Sequence, residues 1–188
     1  MKNLVEVKNL KKKYGLKEAV KGISFNIKEN EILGLLGPNG SGKTTTIGMM
    51  LGLLKPSNGE ILINGKKIEE NRIETLQKIN FISPYIELPK KLTVKQNLIV
   101  YCKLYNVSDI KNRIEYLVEK LRLEDLLNRV TGELSSGQKN RASLAKALIN
   151  NPNVLFLDEP TASLDPEIGD FVRSFLENYK KEKKISIL

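Results

Sequence analysis

The chain has 188 residues, 40% of them hydrophobic and 28% charged, enough for one domain with its own core and too ordinary a balance for a disordered or fibrous protein. One cysteine and no histidine exclude internal disulfides, histidine metal centres and histidine-activated nucleophiles, and no apolar run approaches the roughly 20 residues of a membrane-spanning helix. The net charge of +9 is mostly lysine scattered along the chain, with no Arg–aromatic cluster, so it reads as a solvated basic surface and a nucleic-acid partner is not expected. Residues 1–6 carry no signal-peptide core, which places the chain in the cytoplasm as an expectation.

Residues 4–10 alternate like a strand, 11–15 read as a turn, and 23–27 alternate again, predicting an antiparallel layer. Residues 31–36 are a short apolar run of strand length. They lead into Gly37-Pro38-Asn39-Gly40-Ser41-Gly42-Lys43-Thr44, the pattern G-x-x-x-x-G-K-T. Residues 45–51 continue as a helix. The glycines let backbone N–H groups approach a phosphate without a Cβ in the way, and the helix N-terminus adds its unpaired N–H groups. Lys43 then reaches the β- and γ-phosphates and the Thr44 hydroxyl meets Mg²⁺. A Gly-rich turn that merely starts a helix is the plain alternative, and the strand before and helix after weigh against it.

Residues 55–59 form a turn cluster. Residues 61–68 predict a hairpin, because Asn64-Gly65 suits a type I′ turn. Residues 79–83 are a short strand stopped by Pro84. The period then becomes helical. Thr93 and Gln96 make a capping box, with Val94, Leu98, Tyr101, Cys102 and Tyr105 on one face. Ser108 is expected to cap the next helix, which carries Ile110, Ile114, Leu117, Val118 and Leu121. Cys102 falls on an apolar face and reads as a buried small hydrophobe. Residues 84–150 are thus expected to be an all-helical insertion. Its last helix opens at Ser135-Ser136-Gly137-Gln138 and carries Ala142, Ala145, Leu148 and Ile149. Residues 154–157 are continuously apolar, as in a parallel strand buried on both faces. Asp165 and Pro166 start a helix as N-cap and N1, with Phe171, Val172, Phe175 and Leu176 inward. Residues 185–188 begin a further strand.

Two stretches besides the P-loop carry chemistry. Asp158 and Glu159 sit at the end of the buried strand, where open α/β sheets bind ligands. Asp158 is expected to hold Mg²⁺, directly or through water, and Glu159 to act as general base toward an attacking water. Ser135 and Gln138 make a second capping box. A Ser side chain at a bare helix N-terminus is also an anion site, one that a partner's nucleotide would use.

With these motifs in this order the chain resembles the nucleotide-binding domain of an ABC-type ATPase, over essentially its whole length. The resemblance rests on Gly37 to Thr44, on Leu134-Ser135-Ser136-Gly137-Gln138, on Asp158-Glu159-Pro160-Thr161, and on Ala162-Ser163-Leu164-Asp165. It implies an α/β P-loop NTPase fold: a mostly parallel core sheet, an N-terminal antiparallel β layer and an α-helical insertion subdomain. Residues 1–188 would be one domain, with a core of 1–83 and 151–188 and a helical subdomain of about 84–150. The cofactors implied are ATP and Mg²⁺. Gly37, Pro38, Asn39, Gly40, Ser41, Gly42, Lys43, Thr44 and Thr45 would bind the nucleotide, with Tyr14 stacked on adenine. Ser135, Ser136, Gly137 and Gln138 would contact the ATP of a second such domain paired head to tail, with Asp165 at that interface.

The implied function is the ATPase subunit of a membrane transporter, held at the inner face of the membrane by transmembrane permease subunits. Residues 92–98 with Tyr101, Leu104 and Tyr105 resemble the exporter branch, and the coupling surface is expected around 84–105, with Pro84 and Tyr85 nearest the permease. The alternative is a soluble ABC-type ATPase acting on ribosomes or nucleic acid. The sequence departs from the family pattern at three places. Ser136 stands where Gly is usual. Pro84 stands where a Gln that contacts Mg²⁺ and water is usual. A histidine is expected after the strand beginning at Ile185, and the chain has none, which suggests a truncated chain. These 188 residues are therefore expected to bind MgATP and to hydrolyse it slowly.

Overall fold

A computed structural model describes residues 2–83, 87–161 and 164–188. The alternation at the N-terminus becomes a long hairpin of β1 (Asn3–Tyr14) and β2 (Lys17–Lys28), turning at Gly15 and Leu16. Residues 11–14, expected as a turn, are strand. Cross-strand pairing overrides the weak β-propensity of three successive lysines: Lys12 faces Val20 and, after a one-residue shift in register, Lys13 faces Glu18, and Lys13 Nζ lies 2.8 Å from the Glu18 carboxylate. Helix α1 (Lys43–Met50) follows the P-loop. Then β3 (Asn58–Ile63) pairs antiparallel with β1 and, through the predicted Asn64-Gly65 turn, with β4 (Lys66–Lys67). Both turn residues have positive φ, 53° and 76°, as a type I′ turn requires. The antiparallel order is β2-β1-β3-β4.

The short helix α2 (Arg72–Gln77) was not legible in the sequence; its N-cap, Asn71, makes no side-chain capping bond. Strand β5 (Ile79–Ile82) follows, then α3 (Val94–Leu104), α4 (Ile110–Leu121) and α5 (Ser136–Leu148). Thr93 and Gln96 close the predicted capping box on α3. On α4 the cap is Asp109, not Ser108: its carboxylate accepts from the backbone N–H of Asn112, which a side chain one position earlier is not placed to do. Strand β6 (Val154–Leu157), helix α6 (Pro166–Lys183) and β7 (Ser186–Ile187) complete the chain. Strands β5, β6 and β7 form a parallel sheet in that order.

Strand β6 explains why its sequence is apolar without alternation. Leu155 packs with Leu98, Leu117, Leu144 and Val172 in a core made by the helices. Its neighbours Val154 and Phe156 point the opposite way, into a core made by α1 and the antiparallel sheet. Successive side chains take opposite faces, and here both faces are interior. Arg113 of α4 binds the helical core together. It donates to the carbonyls of Leu148 and Ile149 at the end of α5 and to the Tyr179 hydroxyl of α6. Cys102 is fully buried, as read from its face, and burial pushes its thiol above the ordinary value.

Residues 31–36 depart from expectation. They make one parallel bridge, Ile32 to Ile187, with Ile187 donating to the Glu31 carbonyl and Leu33 to that of Ile187. Residues 33–36 lie outside any strand.

One buried charge stands out. Lys146 on α5 is 9% exposed, and its ammonium lies 5.0 Å from the Phe81 ring and 5.3 Å from the Tyr101 ring. Its hydrogen bond to Asn80 Oδ1 is long, at 3.4 Å. Desolvation lowers its pKa from 10.5 to about 8. Between those values the unfolded chain holds the proton and the folded chain does not, so folding stability rises with pH across that window. Replacing Lys146 by Met should therefore raise the melting temperature at pH 7, by roughly 1–3 kcal/mol in stability. That advantage should shrink toward zero between pH 8 and 10.5. Calorimetric melts of both proteins across that range check it; an equal difference at every pH would refute it.

Candidate functional site

The loop between residues 36 and 43 is shaped by its glycines at two places. Gly42 has φ 96°, and a Cβ there would collide with the Ala19 carbonyl of β2; a Cβ on Gly37 would come within 2.5 Å of Ser41 Oγ. Either position needs hydrogen in place of a side chain, so the loop stays narrow. Ser41 N donates to the Pro38 carbonyl at 3.1 Å. Helix α1 starts at Lys43 with no side-chain cap and no acidic residue in its first turn, leaving a concave set of N–H groups with a positive helix end behind it. The Lys43 ammonium folds over the same loop, donating to the carbonyls of Gly37 at 2.7 Å and Pro38 at 3.2 Å.

The sheet brings the acidic pair to this loop. Asp158 N donates to the Ile82 carbonyl at 2.9 Å, which fixes the C-terminal ends of β5 and β6 together. Asp158 is 5% exposed, and its Oδ2 accepts from the Thr44 hydroxyl at 3.0 Å, across 114 positions of sequence. Hydroxyl and carboxylate are hard oxygen donors, a set that suits Mg²⁺, which takes few protein ligands and completes its shell with phosphate oxygens and water. No group of three or more His, Cys, Asp or Glu converges among the described residues. Glu159 is exposed and has φ 50°, a left-handed conformation uncommon for a residue with a side chain. Gly37, Lys43, Asp158 and Glu159 border a cleft of about 360 Å³ whose other walls are mostly apolar, among them Ile32, Leu35 and Ile187.

The second capping box is present. Gln138 N donates to Ser135 Oγ at 3.3 Å, and Ser135 N donates to Gln138 Oε1 at 3.0 Å. Ser135 and Ser136 are exposed at the tip of α5, while Gly137 is buried, with no room for a Cβ against Ile168 of α6. Ser136 lines a separate cleft of about 200 Å³ with Glu159 and Pro160. The P-loop cleft and the tip of α5 are thus distinct, with Glu159 bordering both clefts. Asp165 occupies the N-cap position of α6 with Pro166 at N1, but its side chain makes no capping bond; its carbonyl accepts from Gly169 N at 2.9 Å, and its carboxylate stays exposed.

Tyr14, expected in a turn, ends strand β1 opposite Lys17. It is 49% exposed and lies under the Lys12 ammonium at 5.0 Å, at the tip of the hairpin whose Ala19 touches Gly42. Pro84 and Tyr85, and with them the departure from the family's Gln, lie outside the described residues, as do Ala162 and Ser163. One residue that sequence reasoning passed over is Asn140 of α5, whose Nδ2 donates to the Pro160 carbonyl at 2.8 Å; no local pattern marks a contact made across 20 positions.

Against known families, the one described as ABC transporter matches residues 20–162. The chain belongs to the ABC transporter family. It is 41% identical over 165 residues to Nod factor export ATP-binding protein I of Burkholderia orbicola, covering 87% of this chain and 54% of that protein. It is 37% identical over 190 residues to the bacitracin transport ATP-binding protein BcrA of Bacillus licheniformis, covering 100% of this chain and 61% of that one. The chain therefore spans little more than half the length of these curated relatives. Among solved structures, cbiO1 of Clostridium perfringens, part of the ABC transporter complex cbiONQ, superposes with a TM-score of 0.85 at 33% identity, covering 100% of this chain and 77% of that one. A dimeric ATP-binding cassette in a post-hydrolysis state, bound to ADP and Pi, superposes with a TM-score of 0.87 at 29% identity, covering 97% and 85%. The ABC ATPase fold of this family member agrees with the α/β P-loop architecture expected from the sequence. No helix among its described residues is long and apolar enough to cross a membrane.

Proposed function

We propose that this ABC-family protein is the ATP-hydrolysing subunit of a membrane exporter. The observation that carries the reading is the Thr44–Asp158 contact of 3.0 Å, an oxygen pair at the start of the helix that follows a glycine-shaped loop and Lys43. From Gly37 to Thr45 every residue except Pro38, which has no N–H, would offer its backbone N–H to the phosphates. Lys43 would exchange its neutral carbonyl acceptors for anionic phosphate oxygens, which accept more strongly. Thr44 and Asp158 would hold Mg²⁺, whose charge, when bound, offsets that of the phosphates. Glu159 would take the proton of a water attacking the γ-phosphorus; the bond to the β–γ bridging oxygen breaks, giving ADP and Pi. Tyr14, at the exposed hairpin tip, would stack on adenine.

The separation of Ser135–Gln138 from the P-loop cleft supports a head-to-tail dimer in which each α5 tip completes the partner's nucleotide site, with the exposed Asp165 at the interface. Residues 84–150 would form a helical subdomain that contacts permease subunits, and the protein would sit at the cytoplasmic face of the membrane through them. With no histidine to position the water, residues 1–188 alone would turn ATP over slowly.

The test is co-purification. The natural full-length protein carrying Glu159→Gln is drawn from detergent-solubilised membranes with ATP present, and its companions are identified by mass spectrometry. A polytopic membrane protein in stoichiometric yield is expected. Ribosomal proteins or nucleic acid without a membrane partner would overturn the transporter reading in favour of a soluble ATPase.

A further inference from the structure

We propose that Asn140 is a positioning residue for Glu159, and that one face of α5 holds the acidic turn in its working shape. The inference rests on the reading of Glu159 as general base. Glu159 is held at φ 50°, a conformation that relaxes unless its surroundings enforce it. The next residue, Pro160, has no N–H, so the turn offers only the Pro160 carbonyl as a hydrogen-bonding handle there. Asn140 Nδ2 takes that handle at 2.8 Å. A carbonyl can only accept, so it is the amide nitrogen that faces it.

The other half of the amide argues against a purely stabilising role. Asn140 Oδ1 is shut off from solvent with no hydrogen-bond partner among the described residues. An unpaired buried acceptor costs free energy, so an apolar side chain of similar size would fill the space without that penalty. What it would not do is hold Pro160. Three positions earlier, on the same side of the helix, Gly137 is pressed against Ile168 at the start of α6. Gly137 and Asn140 therefore seat α5 against Ile168 and against Pro160, the residue next to Glu159. The exposed tip of that helix is Ser135 and Ser136, the residues proposed to meet a partner's nucleotide. A push on the tip reaches Glu159 through a single hydrogen bond.

The experiment compares Asn140→Asp, which keeps the shape and removes the donor, with Asn140→Gln, which keeps the donor, in the full-length protein. Two quantities are measured: steady-state MgATP hydrolysis, and amide hydrogen exchange over residues 157–165. For Asn140→Asp the expected result is a fall in kcat of about tenfold or more with KM within about twofold, because a displaced catalytic group loses rate rather than binding. Exchange over 157–165 should rise, and the melting temperature should fall as well, because the new carboxylate faces the Pro160 carbonyl as a buried acceptor without a donor; the unchanged KM is what separates lost positioning from lost folding. Asn140→Gln should keep at least a third of the kcat. An Asp variant with wild-type kcat and wild-type exchange overturns the proposal, and so does a Gln variant as slow as the Asp one. A wild-type protein that hydrolyses no ATP, yet whose Asp variant shows faster exchange, would sink the ATPase reading while leaving the hold of Asn140 on the turn standing.

Discussion

Replacing Glu159 by glutamine should lower ATP turnover by roughly 10²–10⁴-fold while leaving ATP binding intact. That range is what a positioned general base contributes, about 3–5 kcal/mol of barrier. The substitution is nearly isosteric at an exposed position, so the left-handed turn at φ 50° and the Thr44–Asp158 contact survive it. Only the ability to accept the proton of the attacking water is lost. Single-turnover hydrolysis and equilibrium binding of ATP, measured on the same preparation, separate the two quantities. A glutamine variant within tenfold of wild type would remove Glu159 from the mechanism.

Lys43→Ala should weaken ATP binding by about 10²-fold or more. The ammonium donates two hydrogen bonds to loop carbonyls, at 2.7 and 3.2 Å, so it is already stationed over the place where phosphates would lie. Bonds from a charged donor to an anionic oxygen are worth about 1.5–3 kcal/mol each, and the alanine variant forfeits them together. Folding should change little, within about 0.5–1 kcal/mol, because among the described residues the Lys43 ammonium bonds its own loop. Titration with a fluorescent ATP analogue, paired with a thermal melt, checks both halves. Unchanged affinity would mean that the backbone N–H groups alone hold the phosphates.

Both predictions draw on residues recognisable in the sequence, and the reason is the locality of their signals. The P-loop requires fixed residue types within eight positions, because backbone N–H groups, a helix start and one lysine must converge on one phosphate group. The capping boxes at Thr93 and Ser135 close over three residues, so their partners fall inside any short window. Strand β6 was legible from continuous apolarity alone, since a strand buried on both faces has no polar side to show.

Legible along the chain, then, were the family, the Gly-rich loop before α1, the acidic pair at the end of β6 and the two capping boxes. Each is an interaction between near neighbours or a pattern that burial imposes along a single element. The tertiary structure decided whatever depends on a distant partner. Lys11 to Tyr14 became strand because β2 lies opposite them. Thr44 found Asp158 across 114 positions, and Asn140 found Pro160 across 20. Lys146 became a buried cation between two rings, although on its own helix it reads as a surface lysine. A hydrogen bond, a ladder or a loss of solvent has two sides, and where the second side is far along the chain only folding brings it into place.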